Sequence, residues 1–187
     1  MTMPGLFPIS LFYVSPLQIN FQVPFMQVFG ATQTTLTVTQ GQLSNTLNIT
    51  LVPYAPALFT TNSQGTGQAA ALVGSSLAAP IGAFPGSKPA QPGETVSVFC
   101  TGLGNVTNAP DPGSPALSNP LSHTLNTPVV TLGSQPVPVT FSGLAPGFVG
   151  LYQVNVQIPT GAPSGSAVPM ALKIGGVVSN TATIAVE

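Results

Sequence analysis

The chain has 187 residues, 43% of them hydrophobic, but Lys, Arg, Asp and Glu together make up only 3%, for a formal net charge of −1. That apolar content suffices for one or two small domains and excludes a disordered segment. Without a Lys/Arg cluster to neutralise phosphates, it also excludes a nucleic-acid partner.

The few charges are Lys88, Lys173, Glu94, Asp111 and Glu187, with no arginine. Ordinary soluble domains carry roughly 25% charged residues. A surface of Thr, Ser, Asn, Gln, Gly and Pro repels itself weakly, which suits an extracellular or cell-surface setting where subunits associate. Twenty-one prolines and twenty glycines are spread along the chain and leave little room for a helix of any length.

Residues 1–30 contain no Lys or Arg and are interrupted by Pro4, Pro8, Pro16 and Pro24, so no signal peptide is read there. No run is long and apolar enough for a membrane span. Leu17, Ile19, Phe21, Val23 and Phe25 alternate with Gln18, Asn20, Gln22 and Pro24, a period of two that predicts a strand with an apolar and an amide face. Strands are expected at 34–40 and 46–52, joined near Gln40-Gly41. From Thr60 to Pro92 the chain is rich in Ala, Gly, Ser and Pro. Its simplest reading is an exposed linker, although Ala69–Val73 and Pro80–Phe84 leave open arms that pack on a neighbour.

Further strands are expected at 95–101, 128–132, 137–142, 152–158, 168–174 and 180–186, with an irregular loop from Asn105 to Asn126. About seven short strands per unit with regularly spaced turns point to an all-β fold of immunoglobulin-like sandwiches; a small barrel or jelly roll shares most of the pattern.

The chain also repeats itself. Gln18-Ile-Asn-Phe-Gln-Val-Pro24 returns as Gln153-Val-Asn-Val-Gln-Ile-Pro159, and Ser44-Asn45-Thr46 as Ser179-Asn180-Thr181. Residues 12–51 align with 147–186 without a gap, identical at 11 of 40 positions. What leads into the second copy, roughly Glu94 to Gln135, would match positions before Met1. The expected organisation is therefore an incomplete unit at 1–58, a linker or arm at 59–93 and a complete domain at 94–187.

Three stretches carry a resemblance: Pro92-Gly-Glu-Thr-Val-Ser-Val-Phe-Cys-Thr-Gly-Leu-Gly104, then Phe141 to Pro159, then Gly175-Gly-Val-Val-Ser-Asn-Thr181. Together they resemble the Solibacter-type C-terminal domain, an acidobacterial repeat of large secreted proteins that is similar to immunoglobulin-like IPT/TIG modules. Leu11 to Pro24 resembles the second half of the same repeat. The resemblance implies export and an all-β fold, and brings no activity or binding residues with it.

Little chemistry is legible. Three scattered acids do not supply a catalytic carboxylate pair or a calcium site. His123 has no nucleophile motif around any serine and reads as a solvent-facing loop residue. Cys100, in Val96-Ser-Val-Phe-Cys100, reads as a small buried hydrophobe. Neither catalysis nor a cofactor or metal is expected. The sequons Asn48-Ile-Thr50 and Asn105-Val-Thr107 are weak signals. The amide rows Gln18/Asn20/Gln22 and Gln153/Asn155/Gln157 suit a solvated or neighbour-facing sheet better than a sugar site, since the chain has no tryptophan.

What remains is assembly. A sandwich short of strands leaves backbone groups unpaired, each costing roughly 1–3 kcal/mol if buried so. A strand lent by another copy fills such a gap, and a head-to-tail contact of this kind propagates. The sequence therefore points to a subunit of an extracellular filament joined by donor-strand complementation, with itself as partner. Expected interface residues are Leu6, Ile9, Leu11, Tyr13, Leu17, Ile19, Phe21 and Val23 of the N-terminal segment, with Leu72, Val73, Ile81 and Phe84 of the linker. The alternative is a terminal module of a larger secreted protein that contacts a polysaccharide or cell surface.

Overall fold

The computed structural model describes residues 9–25 and 32–187, and among them every regular element is a strand. In chain order these are β1 (Leu11–Val14), β2 (Ile19–Phe21), β3 (Thr32–Gln40), β4 (Leu43–Leu51), β5 (Ala57–Leu58), β6 (Ala71–Val73), β7 (Ser76–Leu77), β8 (Thr95–Thr101), β9 (Val129–Leu132) and β10 (Gln135–Val137). They continue with β11 (Val139–Leu144), β12 (Tyr152–Gln157), β13 (Gly165–Ile174), β14 (Val177–Val178) and β15 (Ala182–Val186). The protein is all-β, as its proline and glycine spacing requires, and its ladders are antiparallel.

Two sheets share one core. The first runs β11-β12-β8-β6-β7 with β5 also on β8; the second runs β10-β9-β13-β14 with β15 on β13. The alternation read in Thr95–Thr101 is realised: Val96, Val98 and Cys100 are buried, and they face inward beside Val154 and Val156 of β12. Val130, Leu132, Met170, Leu172 and Ile184 of the second sheet belong to the same buried cluster. Two facing sheets around one core form a β-sandwich. Each fully buried Val or Leu contributes about 1.5–3 kcal/mol relative to exposure, so these side chains hold the two sheets together.

The linker reading of 59–93 is corrected. β6 pairs with β8 and β7 with β6, while Ala69, Ala71, Ala78 and Ala90 are fully buried. The segment also covers the outer edge of β15. Ala69 N donates to Thr183 O, Thr183 N to Gly67 O, Ala185 N to Ala78 O, and Ala90 N to Ala185 O, all at 2.7–2.9 Å. Small side chains, misread as a flexible tether, are what let backbone approach so closely. The domain that contains β8 thus takes in β5 as well and begins well before residue 94.

The first repeat copy is arranged differently. Among the described residues β1 pairs only with β2, and β3 only with β4. The strand expected over Leu17–Phe25 shortens to β2, because Gln22 and Phe25 turn onto the sandwich: Gly113 N donates to Gln22 Oε1 at 2.8 Å and Phe25 packs against the core. The loop Asn105–Asn126 is irregular as expected, tied down by isolated bridges from Val106 to Thr124 and from His123 to Gly143.

Candidate functional site

β3 and β4 form a hairpin closed by Gly41-Gln42, with Gly41 at a positive φ of 60° that suits a tight hairpin turn. Nine residues per strand at ~3.4 Å each make an arm of roughly 30 Å. Its register sorts the side chains onto two faces. One face pairs Gln33 with Thr50, Thr35 with Asn48, Thr37 with Thr46 and Thr39 with Ser44, and side-chain hydrogen bonds join Gln33 to Thr50 and Thr35 to Asn48. The other face pairs Leu36 with Leu47, Thr34 with Ile49, Thr32 with Leu51 and Val38 with Asn45. On that face Leu43 is 77% and Leu47 62% exposed, while Leu36, Ile49 and Leu51 are half-buried.

The second copy gives the covered counterpart of this hairpin. At an offset of 135, Leu47, Ile49 and Leu51 correspond to Ala182, Ile184 and Val186, all buried in the sandwich. Asn45 corresponds to Asn180, whose amide is fully engaged. Its Oδ1 accepts from Leu58 N at 2.7 Å, and its Nδ2 donates to Leu58 O at 3.1 Å and Gly65 O at 2.6 Å. The Asn45 side chain is exposed and accepts only from its neighbour Thr46 N. The pairings also differ. Thr35↔Asn48 would align with Met170↔Thr183, whereas β13 and β15 pair Met170 with Ala182. A one-residue slip inverts a strand's faces. In β3 it brings Leu36 and Val38, rather than threonines, onto the face of Leu47.

A second exposed apolar surface lies on β1, where Leu11, Phe12, Tyr13 and Val14 are all half exposed or more, and beside it Leu17 is 98% exposed. Between β2, the foot of β4 and the sandwich runs a groove of about 1070 Å³ lined in part by Phe21, Phe25, Tyr54, Phe59 and Gln22. Gln22 is buried, and among the described residues its Nε2 is the buried side-chain nitrogen or oxygen without a partner. The amide rows are real in both copies: Gln18 Nε2 donates to Asn20 Oδ1 at 2.6 Å, and Gln153 Nε2 to Asn155 Oδ1 at 2.8 Å.

The expected interface residues therefore scatter. Leu11, Tyr13, Leu17 and Val23 are exposed, while Ile19 and Phe21 are half-buried in the groove wall. Ile9 is half-buried, and Leu6 lies outside the described residues. Val73 is 6% exposed and belongs to its own domain's core, which corrects its placement at an interface; Leu72, paired opposite Ser97, and Phe84 are half-buried. Ile81 is exposed.

Lys88 Nζ lies 2.6 Å from Glu94 Oε1, and this bond holds the Glu94 carboxyl below its ordinary range. Burial pushes the Cys100 thiol up to about 12 and raises Tyr152 as well, whose hydroxyl donates to Gly104 O. His123 is exposed with its ring edge-on to Phe141 at 5.3 Å. Among the described residues no group of His, Cys, Asp and Glu is placed to hold a metal, and no helix is long and apolar enough to cross a membrane. No protein-family model, curated protein or solved structure matches the chain.

Proposed function

We propose that the chain is a non-enzymatic structural subunit of an extracellular filament, joined head to tail by β-strand complementation. The first repeat copy is read as an immunoglobulin-like unit that lacks its covering strands, and the Solibacter-type resemblance is the basis for the secreted setting. The observation that carries the reading is the hairpin β3–β4, which among the described residues pairs with no other strand and exposes Val38, Leu43 and Leu47 on one face. A two-stranded hairpin is marginally stable alone in water, and a long exposed apolar edge is an invitation to pair with another chain. In the second copy the counterparts of Leu47, Ile49 and Leu51, which are Ala182, Ile184 and Val186, are buried. The purified chain should sediment as particles far larger than 18.8 kDa and image as filaments by negative stain. A monodisperse monomer across a hundredfold concentration range would overturn the proposal.

The groove favours a second reading, a terminal module that contacts a polysaccharide on a cell surface. Its aromatic lining and the unpaired amide of Gln22 suit the hydroxyl groups and apolar faces of a sugar. Under that reading oligosaccharides bind a monomeric chain, and Gln22→Leu weakens the binding; an absence of binding across neutral and acidic glycans would dismiss it.

A further inference from the structure

We propose that the partner of the hairpin is β1 of a second copy, which adds along the outer edge of β4 while Asn45 holds its backbone. This inference rests on the filament reading and names the two surfaces that meet.

The second repeat copy supplies the template. The outer edge of β15 is paired at Thr183 and Ala185 by backbone from residues 67–90, and Asn180 grips the backbone of Leu58 and Gly65. At the equivalent positions of β4, Asn48 and Thr50, the described residues provide no strand on the outer edge. An edge strand presents alternate N–H and C=O groups, which an incoming strand pairs by β-augmentation. Asn45 lies near the turn end of β4, opposite Val38, and its exposed amide keeps both Nδ2 donors available while Oδ1 accepts from Thr46 N.

β1 fits as the incoming strand on three counts. Among the described residues it pairs with β2 alone, which leaves its other edge without a strand. Its side chains Leu11 to Val14 are all exposed, and because a strand alternates its faces, one alternate pair of them can lie on the side of Leu47. And residues 1–87 contain no charged side chain, so joining the two surfaces desolvates no ion. Donor and acceptor surfaces differ, so every subunit keeps one of each free and the contact propagates.

The test uses two single variants of the whole chain, Leu47→Cys and Phe12→Cys, both at exposed positions, with the native Cys100 buried and protonated. Each is treated with a short bismaleimide alone and then mixed, while sedimentation follows assembly. A cross-linked dimer that forms only in the mixture supports the contact. Cross-linking of Leu47→Cys with itself overturns it, since hairpins then meet each other. Polymers without the mixed cross-link overturn the contact and leave the filament reading standing; neither polymers nor cross-link removes both. Asn45→Ala should raise the critical concentration for assembly by about tenfold, as the loss of hydrogen bonds to a buried backbone implies, with the circular-dichroism spectrum unchanged. An unchanged critical concentration would remove Asn45 from the contact.

Discussion

Replacing Asn180 by Ala removes three hydrogen bonds at once and tests whether this amide is the latch between the two sheets. Leu58 is 3% exposed, and its N–H and C=O both turn toward Asn180 while the flanking Phe59 N donates to Phe99 O across β8. No other partner takes those two groups over after truncation. At about 1–3 kcal/mol for each buried group left unpaired, the two Leu58 groups alone set a loss of roughly 2–6 kcal/mol. The third acceptor, Gly65 O, lies in a partly exposed turn where water replaces the amide. Global stabilities run at about 5–15 kcal/mol, so the loss is a large share of the total. Urea unfolding followed by far-ultraviolet circular dichroism measures it, compared under conditions where the chains are monomeric. Asn45→Ala provides the contrast, because an exposed side chain bonded only to Thr46 N should cost within about 0.5 kcal/mol in the monomer. Equal losses at the two positions would refute the assignment of one latch as engaged and the other as idle. A loss below about 1 kcal/mol at Asn180 would show that β5 is held by its pairing with β8 and its packing, without the amide.

Other substitutions probe single features of the fold. Cys100, with its thiol pushed up to about 12 by burial, should not react with a maleimide at pH 8 in the folded chain and should label fully in denaturant; rapid native labelling would mean that β8 is open to solvent. Gly175 holds a φ of 56° and a β-carbon there would overlap the ring of Tyr54, so Gly175→Ala should destabilise by about 1–3 kcal/mol in the same urea assay, whereas Gly176→Ala meets no neighbour and should cost less. Glu94 has a lowered folded-state pKa because of its bond to Lys88, so its contribution is present above the ordinary carboxylate range and is lost as pH falls through the folded value. Being surface-exposed, the pair should contribute no more than about 1 kcal/mol, and Lys88→Met should flatten the melting temperature between pH 5 and pH 3. An unchanged slope in that variant would remove the pair from the acid response.

The alternating positions of Thr95–Thr101 and Tyr152–Gln157 were legible from the sequence because period-two burial leaves a direct trace: β8 has the predicted bounds, and β12 matches to within a residue. Residues 59–93 were not, because alanine and glycine are ambiguous. They are what a tether is made of, and also what backbone-to-backbone contact along β15 demands. Periodicity could not register the difference, since the strands there are two or three residues long. The Ser-Asn-Thr repeat was visible, but its role was not, as Asn180 acts through two backbone groups 122 residues away in sequence. The hairpin was expected as two strands, and the apolar alternation of Leu36, Val38, Leu43, Leu47 and Ile49 was the available clue to its uncovered face. Gln22 looked like one more member of an amide row, and only the close approach of Gly113 and Gly150 turns it inward.

The divergence of the two copies follows from which partners each retains. In the second, Met170 and Leu172 face a sheet of the same chain, and a lysine at 173 stands outside it. In the first, the positions of Met170 and Leu172 are Thr35 and Thr37, and that of Lys173 is Val38. An arm meant only to be solvated would have kept the lysine and lost the apolar row. This one has the reverse: threonines on the side that bonds to itself, Val38, Leu43 and Leu47 exposed on the other, and no charge anywhere along it. Charged residues on edge strands are a common means of preventing sheet-to-sheet association. The composition of the hairpin removes that protection along its whole length, while the sandwich, with its edge on β15 already paired, keeps all five charges of the chain. Restoring one charge at the arm, as Val38→Lys, therefore puts the second copy's own residue back in place, and it should suppress association while leaving the urea midpoint of the monomer within about 0.5 kcal/mol. Assembly that persists unchanged with a lysine in the middle of the apolar face would mean that this face is not where subunits meet.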